Sequence, residues 1–113
     1  MHELSLVYGI CDVINQKVIE YGANRVVQVR IVAGELAGIE DLTMKSCFEM
    51  LALGSPAEGA EMIIERLPIK VRCRKCGNVY ETVIPFSKCS DCGNESIEII
   101  SGNELYIDSI AVE

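Results

Sequence analysis

Two Cys-x-x-Cys pairs, Cys73-Arg-Lys-Cys76 and Cys89-Ser-Asp-Cys92, stand twelve residues apart, and a glycine follows each. No other feature limits the fold of this chain so strongly. Four thiolates at this spacing can close a tetrahedron around Zn²⁺, as in zinc ribbons. Gly77 and Gly93 supply the positive φ that each turn needs to aim backbone N–H groups back at the sulfurs. Zinc with four thiolates carries net negative charge, and Arg72, Arg74, Lys75 and Lys88 lie beside the ligands in sequence where they can offset it. Such a site is closed, with no position left for water or substrate, so it reads as structural. The same knuckles could also hold a single iron ion or act as dithiol redox pairs.

The ribbon does not account for the whole chain. Residues 71–100 are too few to bury an adequate core, so the metal must supply much of their stability, on the order of 10 kcal/mol in comparable peptides. The apolar residues that make up half of the composition are concentrated elsewhere. Two domains are therefore expected, one of residues 1–70 with 101–113 and the other the ribbon, 71–100. A net charge of −7 repels a phosphate backbone and counts against nucleic-acid binding. There is no long apolar run and no signal peptide, which speaks against membrane insertion or secretion. Zinc-bound thiolates beside the isolated Cys11 and Cys47 point to a reducing cytoplasm.

Along the chain, Leu4, Val7, Ile10, Cys11, Ile14, Val18 and Tyr21 recur at three- and four-residue steps, which predicts an amphipathic helix over about 4–21, stopped by Gly22. Arg25 to Val32 is β-branched and alternating and predicts a strand, with Val27, Val29 and Ile31 on one side. Asp41 is the expected cap of a second helix reaching Leu53, with Met44, Phe48 and Leu51 facing the core. Cys11 and Cys47 fall on the apolar helix faces as small buried thiols. Ala60 to Ile69 reads as a strand running into the first cysteine pair. Val79–Ile84 and Ser96–Ile100 read as ribbon strands, and Glu104–Val112 as the last strand. The fold class is α+β: a three-stranded mixed sheet with two helices, and a zinc ribbon inserted before the final strand.

The sole histidine is His2. At that position the terminal amine of Met1, the deprotonated His2 amide and the imidazole are three adjacent donors suited to planar Ni²⁺ or Cu²⁺, with the Glu3 carboxylate beside them. Glu3 is equally at home as an acid at a helix N-terminus. An exposed site at the chain start can be dismantled by ligand exchange, which suits a cargo ion.

Met1-His-Glu-Leu-Ser5, Gly34-Glu-Leu-Ala-Gly-Ile-Glu40, Gly54-Ser-Pro-Ala-Glu-Gly-Ala60 and the paired Cys-x-x-Cys together resemble the HypA/HybF family of nickel metallochaperones. The resemblance covers essentially the whole chain. It implies nickel delivery to the large subunit of [NiFe]-hydrogenase in company with the GTPase HypB. It also implies nickel ligands at Met1, His2 and Glu3, an acidic contribution at Glu40, and structural zinc on Cys73, Cys76, Cys89 and Cys92. The chain has no histidine near the knuckles, so no nickel ligand is expected from the ribbon. The sequence has no nucleophile paired with a histidine base, no phosphate loop and no open catalytic zinc, so an enzyme is not expected. The alternative is a zinc-ribbon module that binds protein or nucleic acid.

Overall fold

The computed structural model describes residues 2–83, 88, 89 and 91–113. The chain divides into two compact units, one of Met1–Val32, Ile39–Glu65 and Tyr106–Glu113, the other of Ala33–Gly38 and Arg66–Leu105.

The first unit is built on α1 (His2–Tyr21), α2 (Asp41–Leu51) and most of β1 (Val26–Gly34), β2 (Glu61–Leu67) and β6 (Leu105–Val112). The apolar periodicity of α1 is realised as a buried stripe of Val7, Ile14 and Val18. Tyr21, expected on that stripe, is instead 71% exposed, because the helix ends there and the ring lies under the Lys17 ammonium. Gly22, at φ +63°, terminates the helix: Ala23 N–H donates to the Val18 carbonyl and Gly22 N–H to that of Ile19, the paired bonds of a Schellman motif.

The strand order is β2-β1-β6. β6 runs antiparallel to β1, since Gly34 N–H meets the Glu104 carbonyl at one end (2.7 Å) and Asn24 N–H the Glu113 carbonyl at the other (2.8 Å). β2 runs parallel to β1, with Gln28 donating to Glu61 near the start of both strands and the Arg66 guanidinium reaching the Gly34 carbonyl near their ends. A parallel pair needs a crossover, and α2 provides it. The sheet is therefore mixed, as expected. Central β1 buries Val26, Val29, Ile31, Val32 and Ala33, so both of its faces carry core residues and Val27, expected to share the buried face, is only half-buried. Met44, Cys47 and Phe48 form the buried face of α2.

The cap of α2 differs from expectation. Glu40, not Asp41, is the N-cap: it is extended (φ −114°, ψ 121°), and its carboxylate accepts from Leu42 N–H at 3.3 Å and Thr43 N–H at 2.8 Å. The Thr43 hydroxyl also donates to it. The longer glutamate arm reaches the first-turn donors, leaving Asp41 in the first turn as an acid favoured by the helix dipole. Replacing Glu40 with Ala is expected to cost about 1 kcal/mol in urea denaturation through loss of the cap. Unchanged stability would show that the carboxylate contributes nothing there.

The second unit carries β3 (Ile69–Cys73), β4 (Val79–Thr82) and β5 (Ile97–Ser101) in the order β4-β3-β5. The single strand expected over Ala60–Ile69 is in fact two. Pro68 has no N–H to give a ladder, and the chain leaves β2 at Leu67 to begin β3 at Ile69. The expectation that Val79–Ile84 is a strand holds over Val79–Thr82; Ile84 lies outside the described residues. β3 pairs antiparallel with both neighbours, with Arg72 opposite Val79 on one side and Cys73 opposite Ile97 on the other. Its burial alternates strictly, Ile69, Val71 and Cys73 in, Lys70 and Arg72 out. This alternation directs Cys73 inward at the end of the strand.

Candidate metal centre

The two knuckles are built alike. Gly77 N–H donates to the Cys73 carbonyl (2.9 Å) and Gly93 N–H to the Cys89 carbonyl (2.8 Å); Cys73 N–H donates to the Asn78 carbonyl and Cys89 N–H to that of Asn94, both at 2.9 Å. Gly77 and Gly93 have φ of +77° and +73°, the left-handed turn the sequence requires of them. In the first knuckle Cys76 N–H points at Cys73 Sγ, 3.5 Å away.

These turns gather four sulfurs. All four Sγ atoms lie within 4.8 Å of one another, with Cys73 to Cys92 at 3.5 Å and Cys76 to Cys89 at 3.6 Å. A tetrahedron with metal–sulfur bonds of about 2.3 Å has edges of about 3.8 Å, so the cluster has the dimensions of a four-thiolate zinc site. Its electrostatics agree. The Cys73 thiol is lowered to about 6, chiefly by the Cys76 backbone N–H, which outweighs burial. Cys76 is pushed up to about 12: the Asn78 N–H favours its thiolate, but burial and the neighbouring sulfurs of Cys73, Cys89 and Cys92 oppose it more strongly. Cys92 is also raised, the Asn94 N–H being outweighed by Cys73, burial and Cys89. One thiolate forms readily and its neighbours resist, a conflict that a divalent cation relieves.

Two of the four basic residues expected to offset the thiolates have carboxylate partners instead. Arg72 faces Glu98 at 3.9 Å and Lys88 faces Glu95 at 3.5 Å, both in exposed pairs. Strand register explains the first, since Arg72 and Glu98 are Cα partners across β3 and β5.

His2 opens α1 and is exposed, with Glu3 half-buried in the first turn. The His2 amide is one of the first four N–H groups of a helix, which have no carbonyl within the helix to bond, so its deprotonation breaks no helical hydrogen bond. Met1 lies outside the described residues. Among the described residues the four cysteines are the only group of three or more metal-ligating side chains brought together, and His2, Glu3 and Glu40 do not form a second. The cap made by Glu40 was not read from the sequence; its signal was Thr43, three residues on, obscured by the stronger capping preference of the adjacent Asp41.

The isolated thiols are packed rather than gathered. Cys47 is 8% exposed, and Cys11 is half-buried, its pKa raised by burial and then by the Asp12 carboxylate. Alkylation of both by iodoacetamide in the folded, metal-loaded protein at neutral pH is expected to be slow. Cys11 should react faster as pH rises past the ordinary thiol value. Rapid modification of both thiols at neutral pH would contradict their placement.

A family model described as HypA, "Hydrogenase/urease nickel incorporation, metallochaperone, hypA", matches residues 1–112. The chain belongs to the HypA family. Hydrogenase maturation factor HypA of Caldanaerobacter subterraneus subsp. tengcongensis is 38% identical over 114 residues, covering 100% of both chains. That of Chlorobaculum tepidum is 36% identical over 113 residues, again covering 100% of both. Among solved structures, a HypA protein in solution is similar with a TM-score of 0.75 at 22% identity, over 100% of this chain and 97% of that one. The Ni metallochaperone HypA from Helicobacter pylori is similar with a TM-score of 0.64 at 20% identity, over 97% and 96%. These two likenesses show that the α+β arrangement with its ribbon is the HypA fold. Among the described residues no helix is long and apolar enough to cross a membrane.

Proposed function

We propose that this chain is a nickel metallochaperone for [NiFe]-hydrogenase maturation, a carrier and not an enzyme. It receives Ni(II) at its N-terminus and hands it on, while Zn(II) holds the ribbon as a permanent scaffold. The observation that carries this reading is the family match across residues 1–112, which spans both the four-thiol cluster and the exposed start of α1. In this reading residues 1–70 with 101–113 form the nickel-binding domain and 71–100 the ribbon. The zinc ligands are Cys73, Cys76, Cys89 and Cys92.

The nickel donors are the Met1 amine, the His2 amide and the His2 imidazole, with Glu3 and Glu40 as further carboxylates. Glu40 can lend an oxygen only by loosening the α2 cap, which makes it the weaker of the two. Its partners are the GTPase HypB and the hydrogenase large subunit, in the cytoplasm. Nickel and the amide proton compete for the same nitrogen, as do nickel and a proton for the imidazole, so acid or a partner with better donors favours release. The helix dipole at α1 also disfavours a retained cation.

Nickel titrated into zinc-loaded protein is expected to bind at one equivalent per chain with all the zinc retained. Nickel uptake only in step with zinc loss would show that the ribbon is the sole metal site and overturn the reading.

A further inference from the structure

Two close sulfur contacts of the cluster cross from one knuckle to the other, Cys73 to Cys92 at 3.5 Å and Cys76 to Cys89 at 3.6 Å. Each joins a buried thiol to an exposed one, because Cys73 and Cys89 are buried while Cys76 and Cys92 are exposed. From this arrangement we propose that Cys76 and Cys92 are oxidation sites for hydroperoxides, and that each is resolved by the buried sulfur of the opposite knuckle. The products are the disulfides Cys76–Cys89 and Cys73–Cys92.

The chemistry balances in two steps for each link. With zinc bound, the exposed sulfur would be held as a thiolate; it attacks the peroxide, an S–O bond forms as the O–O bond breaks, and the departing hydroxide or alkoxide is protonated. The buried thiolate then attacks that sulfur, an S–S bond forms as the S–O bond breaks, and a second hydroxide leaves as water. Two sulfurs together give up two electrons and one peroxide accepts them. Closing each contact to about 2.05 Å requires roughly 1.5 Å of sulfur movement. A disulfide sulfur no longer carries the charge that holds a cation, so the ribbon's metal is released.

The pattern of linkage has a structural consequence. Links within a knuckle would each enclose two residues, whereas Cys76–Cys89 encloses twelve and Cys73–Cys92 eighteen. Longer closed loops remove more freedom from the unfolded chain. The oxidised, metal-free ribbon therefore keeps its β4-β3-β5 sheet, while the reduced, metal-free ribbon does not. This inference rests on the sulfur geometry and is independent of the nickel reading.

The sequence provides the means to test it. Trypsin cuts after Arg72, Arg74, Lys75 and Lys88, and cleavage before Asp91 separates Cys89 from Cys92, so each ribbon cysteine falls on its own peptide. Zinc-loaded protein is treated with two equivalents of hydrogen peroxide, then alkylated, digested and analysed by mass spectrometry. The expected products are the Cys73 peptide joined to that of Cys92, and the Cys76 peptide joined to that of Cys89. One zinc should appear in a chromogenic chelator per two disulfides, and reductant should restore binding. Circular dichroism should show the ribbon's strand signal retained after oxidation but lost when reduced protein is chelated. Links within a pair, links between chains, or sulfinic acids without disulfide would each overturn the proposal.

Discussion

Substitution of Cys73 by alanine is expected to release the zinc and unfold the β4-β3-β5 sheet, while the unit built on α1 and α2 remains folded. The reason lies in how little else holds the second unit together. Among the described residues, Ile69 and Val71 are the buried aliphatic residues of β3, β4 and β5, and the other buried side chains there are the proposed ligands Cys73 and Cys89. Strands of four and five residues with so small a core do not persist alone, and metal binding on the order of 10 kcal/mol makes up the difference. Cys73 is the most consequential of the four. It is 1% exposed, it ends the central strand, and its backbone takes part in both backbone–backbone hydrogen bonds of the first knuckle. Val7, Ile14, Ile31, Met44 and Phe48 in the first unit owe nothing to the metal. Zinc content by mass spectrometry and amide exchange by NMR would follow the two units separately. A Cys73→Ala protein that kept one equivalent of tightly bound zinc would contradict the four-thiolate assignment.

The site that depends on local spacing was legible in the sequence. Two Cys-x-x-Cys-Gly repeats encode turn and φ together, and the structure realises both at Gly77 and Gly93 and gathers the four sulfurs. Helical periodicity likewise located α1 and α2, and β-branched alternation located β1. What escaped depends on partners distant in sequence or on competition between neighbours. Arg72 was expected to face thiolate charge, yet its register opposite Glu98, fixed only once β3 and β5 pair, gives it a carboxylate. Asp41 was the expected cap, and side-chain reach at the turn decided for Glu40 instead. Pro68 was passed over as a break because the apolar pattern continued across it. Which sulfur of one knuckle lies against which of the other follows from three-dimensional closure and has no sequence signal of its own.

At the other end of the chain, His2→Gln is expected to abolish specific nickel binding without loss of zinc or fold. The side chain is exposed at the start of α1, so the core does not depend on it. Loss of an imidazole ligand should lower affinity by more than about 100-fold, beyond the 10–100-fold typical when only a ligand's hydrogen-bond partner is removed. Glu3 and Glu40 remain in that variant, so nickel bound by it at native affinity would shift the site to carboxylates. Thermal unfolding of the variant should superimpose on that of the native protein, which separates a metal effect from a folding effect.

The N-terminal site is tested most directly by extending the chain by a few residues before Met1 and measuring nickel affinity calorimetrically on zinc-loaded protein. The extension leaves His2, Glu3, Glu40 and the four cysteines in place and converts only the primary amine into a peptide group. With the amine as a ligand, affinity falls sharply although every original side chain is present. Nickel bound by the extended protein as tightly as by the native one would contradict the assignment of the Met1 amine and, with it, the three-donor site at the chain start.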